Sequence, residues 1–293
     1  MTSAAISHPS ARPSSGHGGA WIDLHVLAPL VKKELRDTLR NKWIVLYTIG
    51  FCVLALGLAS LARASADMAG FAGFGRTAAS LINLVLLLTP LMALSVGATS
   101  LVNDRERGML SYLLAQPVTR TEVYLAKFIG LGLAMGVSIL VGFGVSAMAL
   151  SGASDAGLFV RMTALAFILA LSMLAVGMLI SAIVRRSGSA TGLAVFCWLT
   201  FVLLADVGLM GAAIAFRMHI DTLFFVALAN PLQAFKMAAL SSFGASLDVL
   251  GPSGLWASTE FGSALPVILI SSLVVWTVAP LLAGWFIFVR RPL

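Results

Sequence analysis

The sequence predicts an all-α integral membrane protein with six transmembrane helices and both termini in the cytoplasm. Three observations carry that reading. Hydrophobic residues make up 59% of the 293-residue chain and charged residues only 11%, for a mean hydropathy of +0.99. A soluble domain carries about a quarter charged residues, so too little polar surface is present to cover a soluble globule. Six apolar runs occupy 43–62, 78–102, 127–150, 162–184, 190–216 and 265–289. The basic residues gather between alternate runs.

Each run is long enough to cross a bilayer. A helix rises about 1.5 Å per residue, so about 20 residues traverse a hydrocarbon core of about 30 Å. Lipid offers no partner to backbone N–H and C=O groups, so each run must pair its own as a helix. The short alternating segments of a membrane β-barrel are absent. Orientation follows from Lys and Arg. One side holds Arg12, Lys32, Lys33, Arg36, Arg40, Lys42, Arg105, Arg107, Arg120, Lys127, Arg185, Arg186, Arg290 and Arg291, fourteen of the 19. The other holds Arg63, Arg76, Arg161, Arg217 and Lys236. The positive-inside rule makes the richer side cytoplasmic. The net charge of +7 is therefore topological. It is spread over four juxtamembrane sites, and no nucleic-acid partner is expected.

Along the chain, residues 1–23 read as a disordered tail, with Ser, Pro, Gly and Ala and no apolar periodicity. The first apolar run starts near Trp43, too late for an ordinary secretory signal. Before it, Leu27, Leu30, Val31, Leu35 and Leu39 recur near a helical period, with Lys32, Lys33, Arg36, Asp37 and Arg40 on the other faces. That is an amphipathic interface helix, apolar side toward lipid or neighbouring helices. Lys33 and Asp37 are spaced to pair at i, i+4. Pro90 and Pro280 lie inside spans and can kink them. Gly132 and Gly136 form a GxxxG pair that permits close helix contact.

The segment 103–122, NDRERGMLSYLLAQPVTRTE, interrupts the second and third spans. Leu110, Leu113 and Leu114 share one side of a short helix over 109–116, and Pro117 stops it. Thr119 and Glu122 have the T-x-x-E spacing of a capping box, which starts the next helix. A helix–break–helix of this kind is either a membrane-surface hairpin or a helix that drops into a partner's groove. The residues alone leave both open.

The segment 217–264 faces the other side. Asn230 is placed to cap a helix with Pro231 at its first position, Gln233 at its third, and Leu232, Phe235, Ala239 and Leu240 on an apolar face. Asp221 is placed to cap a preceding helix with Leu223, Phe224 and Val226. Self-packing and docking of a partner both fit.

Candidate chemistry is sparse. Cys52 and Cys197 sit in apolar runs and read as buried thiols. Met210, Met218, His219 and Met237 are the soft outer-side donors, but no M-x-x-M or C-x-x-C spacing joins them, and no metal ligand is assigned. His8, His17 and His25 look incidental. Asp206 is an acid within a span, a functional suspect by default. It lies 18 residues past Gly188, or about 27 Å of helix, which places it near the outer headgroups. No nucleophile–base constellation and no GxxxxGK[ST] phosphate loop occurs, so the chain is not expected to be an enzyme or to bind ATP.

The run ERGMLSYLLAQPVTRTEVYLAK resembles the cytoplasmic loop of ABC-2 type transporter permeases, through Glu106, Arg107, Gly108, Leu110, Leu113, Leu114, Pro117, Val118, Arg120, Glu122 and Lys127. Met109 stands where that family favours Thr, Ala126 where it favours Gly, and Thr119 where it favours Ser. KKELRDTLRNKW also resembles the helix that precedes the family's first span. FGRTAASLINLVLLLTPLMALSVGATSL, NPLQAFKMAAL and LGPSGLWA are similar to the permeases of NosDFY-type transporters, which serve nitrous-oxide reductase maturation. The resemblance implies an inner-membrane homodimer over 24–293 with no cofactor of its own. It also implies a separate NosF-like cytoplasmic ATPase that binds ATP and Mg, and a NosD-like periplasmic partner. The cargo would be an exported sulfur species or delivered copper. Carried onto this chain, the ATPase-coupling residues are Arg105, Glu106, Arg107, Gly108, Leu110, Leu113, Leu114, Pro117, Arg120 and Glu122. The periplasmic docking residues are Asn230, Pro231, Leu232, Phe235 and Leu240. A lipid or drug exporter, or a scaffold without transport, remains the alternative.

Overall fold

The computed structural model describes residues 24–69, 72–115, 118–149, 156–205, 219–242 and 252–291. The N-terminal tail, Pro117, Asp206, Met210, Arg217 and Met218 lie outside the described residues. Every regular element among those described is helical. In order they are α1 (Leu24–Leu39), α2 (Lys42–Ala69), α3 (Ala72–Glu106), α4 (Met109–Leu114), α5 (Arg120–Ala149) and α6 (Ala156–Ile183). Then come α7 (Ser187–Leu203), α8 (Ile220–Leu228), α9 (Pro231–Ser242), α10 (Pro252–Phe261), a 3-10 turn at Gly262–Ala264 and α11 (Leu265–Arg290).

Four helical stretches are long and apolar enough to cross a membrane, Ser80–Glu106, Arg120–Val145, Phe159–Ile183 and Trp256–Arg290. Two more pass only as bent pairs, α1 with α2 (63°) and α8 with α9 (106°). Pro90 and Pro280 are both buried inside helices that continue through them.

The bundle is built around α6, which packs against α3 on one side and α11 on another. α3 and α6 cross glycine on glycine. A Cβ on Gly97 would lie 2.7 Å from the Leu174 carbonyl oxygen, and one on Gly177 2.6 Å from that of Leu94. Only hydrogen at both positions lets the backbones of α3 and α6 meet. The GxxxG pair on α5 works differently. Gly132 receives the Leu171 side chain and Gly136 the Phe167 ring, so these glycines are sockets for α6 side chains. Gly142 likewise takes the Phe51 ring of α2. Phe51 packs edge-on to Phe143 at 5.5 Å.

Hydroxyls tie the apolar helices together. Tyr47 and Thr89 share a hydrogen bond of 3.1 Å, and Thr48 donates to Ser138 at 2.9 Å. Ser172 donates to the Leu273 carbonyl at 2.9 Å. Thr48, Ser138 and Ser172 also lie within hydrogen-bond reach of carbonyls one turn back on their own helices, so these hydroxyls link helices while staying satisfied.

One expectation narrows and another changes. α1 was expected at the interface, facing lipid or neighbouring helices; it packs chiefly along a neighbouring helix, α5, and has little contact with α2, to which it is joined. The Lys33–Asp37 pair does form, at 3.9 Å. The change concerns α9, whose residues left self-packing and docking open and which the resemblance implied as an outer docking helix. It is buried along nearly its whole length, packed on α11, α6 and α3.

Candidate functional site

The Lys- and Arg-rich end of the bundle gathers the residues of the 103–122 motif. α3 ends at Glu106, Arg107 and Gly108 make the turn, and α4 follows. Gly108 has φ +70°, a left-handed conformation natural to glycine, and among the described residues nothing would crowd a side chain there. Its requirement is therefore conformational. α4 spans six residues and is followed by a turn at Ala115, so it is shorter than 109–116.

The capping box forms as the spacing predicts. The Thr119 N–H and hydroxyl both donate to Glu122 Oε2 at 2.8 Å, and the Glu122 N–H donates back to Thr119 Oγ1 at 3.2 Å. Two of the N–H groups left open at a helix start are satisfied reciprocally. α5 therefore begins at a defined place, directly after the short helix.

Arginines occupy helix C-termini around this turn. The Arg105 guanidinium donates to the Val184 carbonyl at 3.2 Å, and Arg291 donates to the Ala182 carbonyl at 3.0 Å and to that of Ile183. Both cap the end of α6, whose last carbonyls lack intrahelical donors and carry the negative end of the helix dipole. Arg120 does the same for α11, donating to the carbonyls of Val289 (3.3 Å) and Arg291. Glu106 serves the opposite polarity. It accepts from the Ser187 N–H and the Ser187 hydroxyl, both at 2.8 Å, at the start of α7. Of the coupling candidates, then, Arg105, Glu106, Arg120 and Glu122 hold neighbouring helix ends.

Lys127 anchors a further group. Its ammonium, with a side chain only 4% exposed, lies 3.1 Å from Glu34 Oε2 and 2.6 Å from Asp104 Oδ2. This buried ion cluster joins α1, α3 and α5. The sequence marked Lys127 as a juxtamembrane cation and as part of a family pattern, without a partner. Its partner Glu34 is distant in the chain, so no local spacing marks the pair.

The apolar side of α4 is turned inward. Leu110 is 1% exposed and Leu113 6% exposed. Leu110 belongs to a buried cluster with Leu101, Val123, Tyr124, Met178 and Phe288. Both leucines were expected as anchors for a partner's groove; here they close the end of the bundle. Leu114 completes α4. The side that faces outward carries Met109, 40% exposed, and Tyr112, 65% exposed, beside exposed Arg107. Sequence periodicity favoured the leucines because three share a helix side, and it could not say which side the bundle covers.

At the opposite end the expected caps are found in part. Asn230 Oδ1 accepts from the Leu232 N–H at 3.0 Å, with Pro231 as the first helical residue, while its amide nitrogen donates to the Phe201 carbonyl at 2.8 Å. Asn230 thus starts α9 and pins it to α7. Asp221 is not the cap of α8: His219 holds that position, and Asp221 accepts from the Thr222 N–H at 2.8 Å within the first turn. Leu232, Phe235 and Leu240 are buried with Pro231 inside the bundle, so the face expected to dock a partner is occupied by the chain's own helices. Exposed apolar groups at this end include Ile220, Phe225 and Val226 on α8, Val160 at the start of α6 and Leu203 at the end of α7. Of the soft donors, His219 is exposed and Met237 is buried in α9. Among the described residues no three His, Cys, Asp or Glu side chains converge on a metal-sized site.

With this geometry in place, comparison with known proteins is decisive on the family. A family model described as ABC-2 family transporter protein matches residues 28–293. The chain belongs to the ABC-2 transporter family. This ABC-2 permease is 33% identical over 271 residues to the probable ABC transporter permease protein NosY of Stutzerimonas stutzeri, covering 89% of this chain and 97% of that one. It is 32% identical over 280 residues to the protein of the same description from Pseudomonas aeruginosa, covering 92% and 99%. Membership makes this a multi-pass membrane permease of a class that works with an ATPase and is in general not itself catalytic.

Proposed function

We propose that this permease is the NosY-like subunit of a transporter in which a separate cytoplasmic ATPase binds at α4. In this reading six spans cross the inner membrane, both termini are cytoplasmic, and two copies pair. The observation that carries the coupling proposal is the division of α4. Leu110 and Leu113 lock it to the bundle, while Met109, Tyr112 and Arg107 face outward. A rigidly held helix with an outward aromatic side chain can receive a push and pass it to α3 and α5. Tyrosine and arginine are the residue types that most often dominate protein interfaces. The charge asymmetry of the sequence supports placing this end in the cytoplasm.

The test uses the full complex. Tyr112→Ala is expected to weaken copurification of the ATPase by about tenfold, equivalent to ~1.4 kcal/mol, while the permease still inserts and stays monodisperse. Undiminished copurification with wild-type ATP turnover would place the contact elsewhere.

On the periplasmic side, a NosD-like partner would meet the exposed part of α8, where Phe225 and Val226 lie, in place of the buried face of α9. The similarity to NosY permeases supports nitrous-oxide reductase copper-centre maturation as the process served, by sulfur export or copper delivery. Lipid export is favoured by one feature, a cleft of about 710 Å³ between α5 and α6 lined by Leu133, Leu140, Phe159 and Phe167 with little polar surface. Stimulation of ATP turnover by phospholipid, measured in detergent, would support that reading.

A further inference from the structure

α1 is continuous in sequence with α2 yet rides on α5. Between α1 and α2 the chain turns by 63° at Arg40 and Asn41. Asn41 Oδ1 starts the new helix by accepting from the Trp43 N–H at 3.0 Å. This is a joint between two stiff elements.

The hold of α1 on α5 has two parts. At Gly130 a Cβ would lie 2.6 Å from Glu34 Cβ and 3.2 Å from the Leu35 nitrogen, so glycine alone lets the two backbones meet. One turn earlier on α5, Lys127 reaches Glu34 on α1 and Asp104 at the end of α3. A buried ammonium is costly without anions beside it. A buried ion pair is, however, weak as a source of stability, because well-packed apolar residues of similar volume serve as well or better. What the charges add is a geometric requirement: both acids must stay within reach of one nitrogen, whatever the surrounding helices do.

We propose that the Glu34–Lys127–Asp104 cluster is a clasp that makes α1 move with α3 and α5, so that α1 acts as a lever handing displacement of α4 to α2 through the Arg40–Asn41 joint. Lys127 is a positioning residue in this scheme. The proposal rests on the coupling reading of α4. α4 lies between α3 and α5, the two helices that share the clasp with α1. A push on α4 therefore reaches α1 through α3 and α5, and the Arg40–Asn41 joint adds to the direct packing of α2 on those two helices.

The experiment takes the whole complex, permease with its ATPase in liposomes, and compares Glu34→Gln, Lys127→Met and Lys127→Arg. Glu34→Gln is expected to keep ATPase copurification and the KM for ATP, and to lower permease-dependent kcat by about tenfold. Amide hydrogen exchange over 24–39 should rise about tenfold while exchange over 120–149 stays at the wild-type level, as for a local release. Lys127→Met should reproduce the kcat loss, and Lys127→Arg, which keeps a cation between the acids, should retain most of the turnover. Wild-type kcat in Glu34→Gln would overturn the proposal. So would exchange rising equally in α1 and α5, because the cluster would then serve only the fold. If Lys127→Met fails to assemble, Glu34→Gln decides alone. If turnover of the wild-type complex proves independent of this chain, the coupling reading fails, and that control is separate from the exchange of α1.

Discussion

Gly97 and Gly177 face each other where α3 crosses α6, and neither has room for a methyl group. Alanine is normally the better helix former by about 1 kcal/mol, so the cost of Gly177→Ala measures the crossing itself. Forcing carbon into a filled contact costs about 1–3 kcal/mol, which should exceed the propensity gain and lower the melting temperature in detergent. Gly144→Ala is the control: among the described residues nothing lies within 4 Å of its would-be Cβ, and it should be neutral or stabilising. At the same scale, Thr119→Ala removes the hydroxyl that accepts from the Glu122 N–H. Loss of such a cap costs about 1 kcal/mol, again read as a fall in melting temperature. The capping box was legible in the sequence because its partners are three residues apart. Lys127 and Glu34 are 93 residues apart, and only the packing of α1 on α5 brings them together.

α4 and α9 show why an apolar side does not by itself define an interface. Both have one, and in both it is used within the chain. Two substitutions on α4 should therefore separate cleanly. Leu110→Glu places a carboxylate among Leu101, Tyr124, Met178 and Phe288, and the expected result is loss of monodisperse protein on size exclusion. Tyr112→Ala, on the outward side, should leave that profile unchanged and affect only the partner. On α9, Asn230→Ala removes the acceptor for the Leu232 N–H and the donor to the Phe201 carbonyl. A buried group left without its partner costs about 1–3 kcal/mol, so α9 should loosen, with faster amide exchange over 231–242. The bend of 106° between α8 and α9 has its reason at the same residue, since Asn230 and Pro231 start a new helix there and hold it to α7.

For the whole molecule, the ring of guanidinium-to-carbonyl bonds from Arg105, Arg120 and Arg291 closes one end of the bundle. The basic residues thus satisfy the positive-inside pattern and cap α6 and α11 at once. Orientation is directly measurable. In a background without Cys52 and Cys197, a cysteine at exposed Arg186 should react with a membrane-impermeant maleimide only from the cytoplasmic face. One at exposed Phe225 should react only from the other. Labelling of both from the same face would overturn the six-span topology.

The sequence by itself determined the class, the apolar runs and the caps at Thr119, Glu122 and Asn230. Each depends on composition or on residues within a few positions of one another. Only the tertiary structure decided that Leu110 and Phe235 face the bundle, that α1 belongs with α5, and that α3 and α6 touch at two isolated glycines. The physical reason is that a helix in an apolar medium shows the same residues to lipid, to a neighbour and to a partner. Hydrophobic patterning cannot tell these surroundings apart, and only close packing and paired buried charges can.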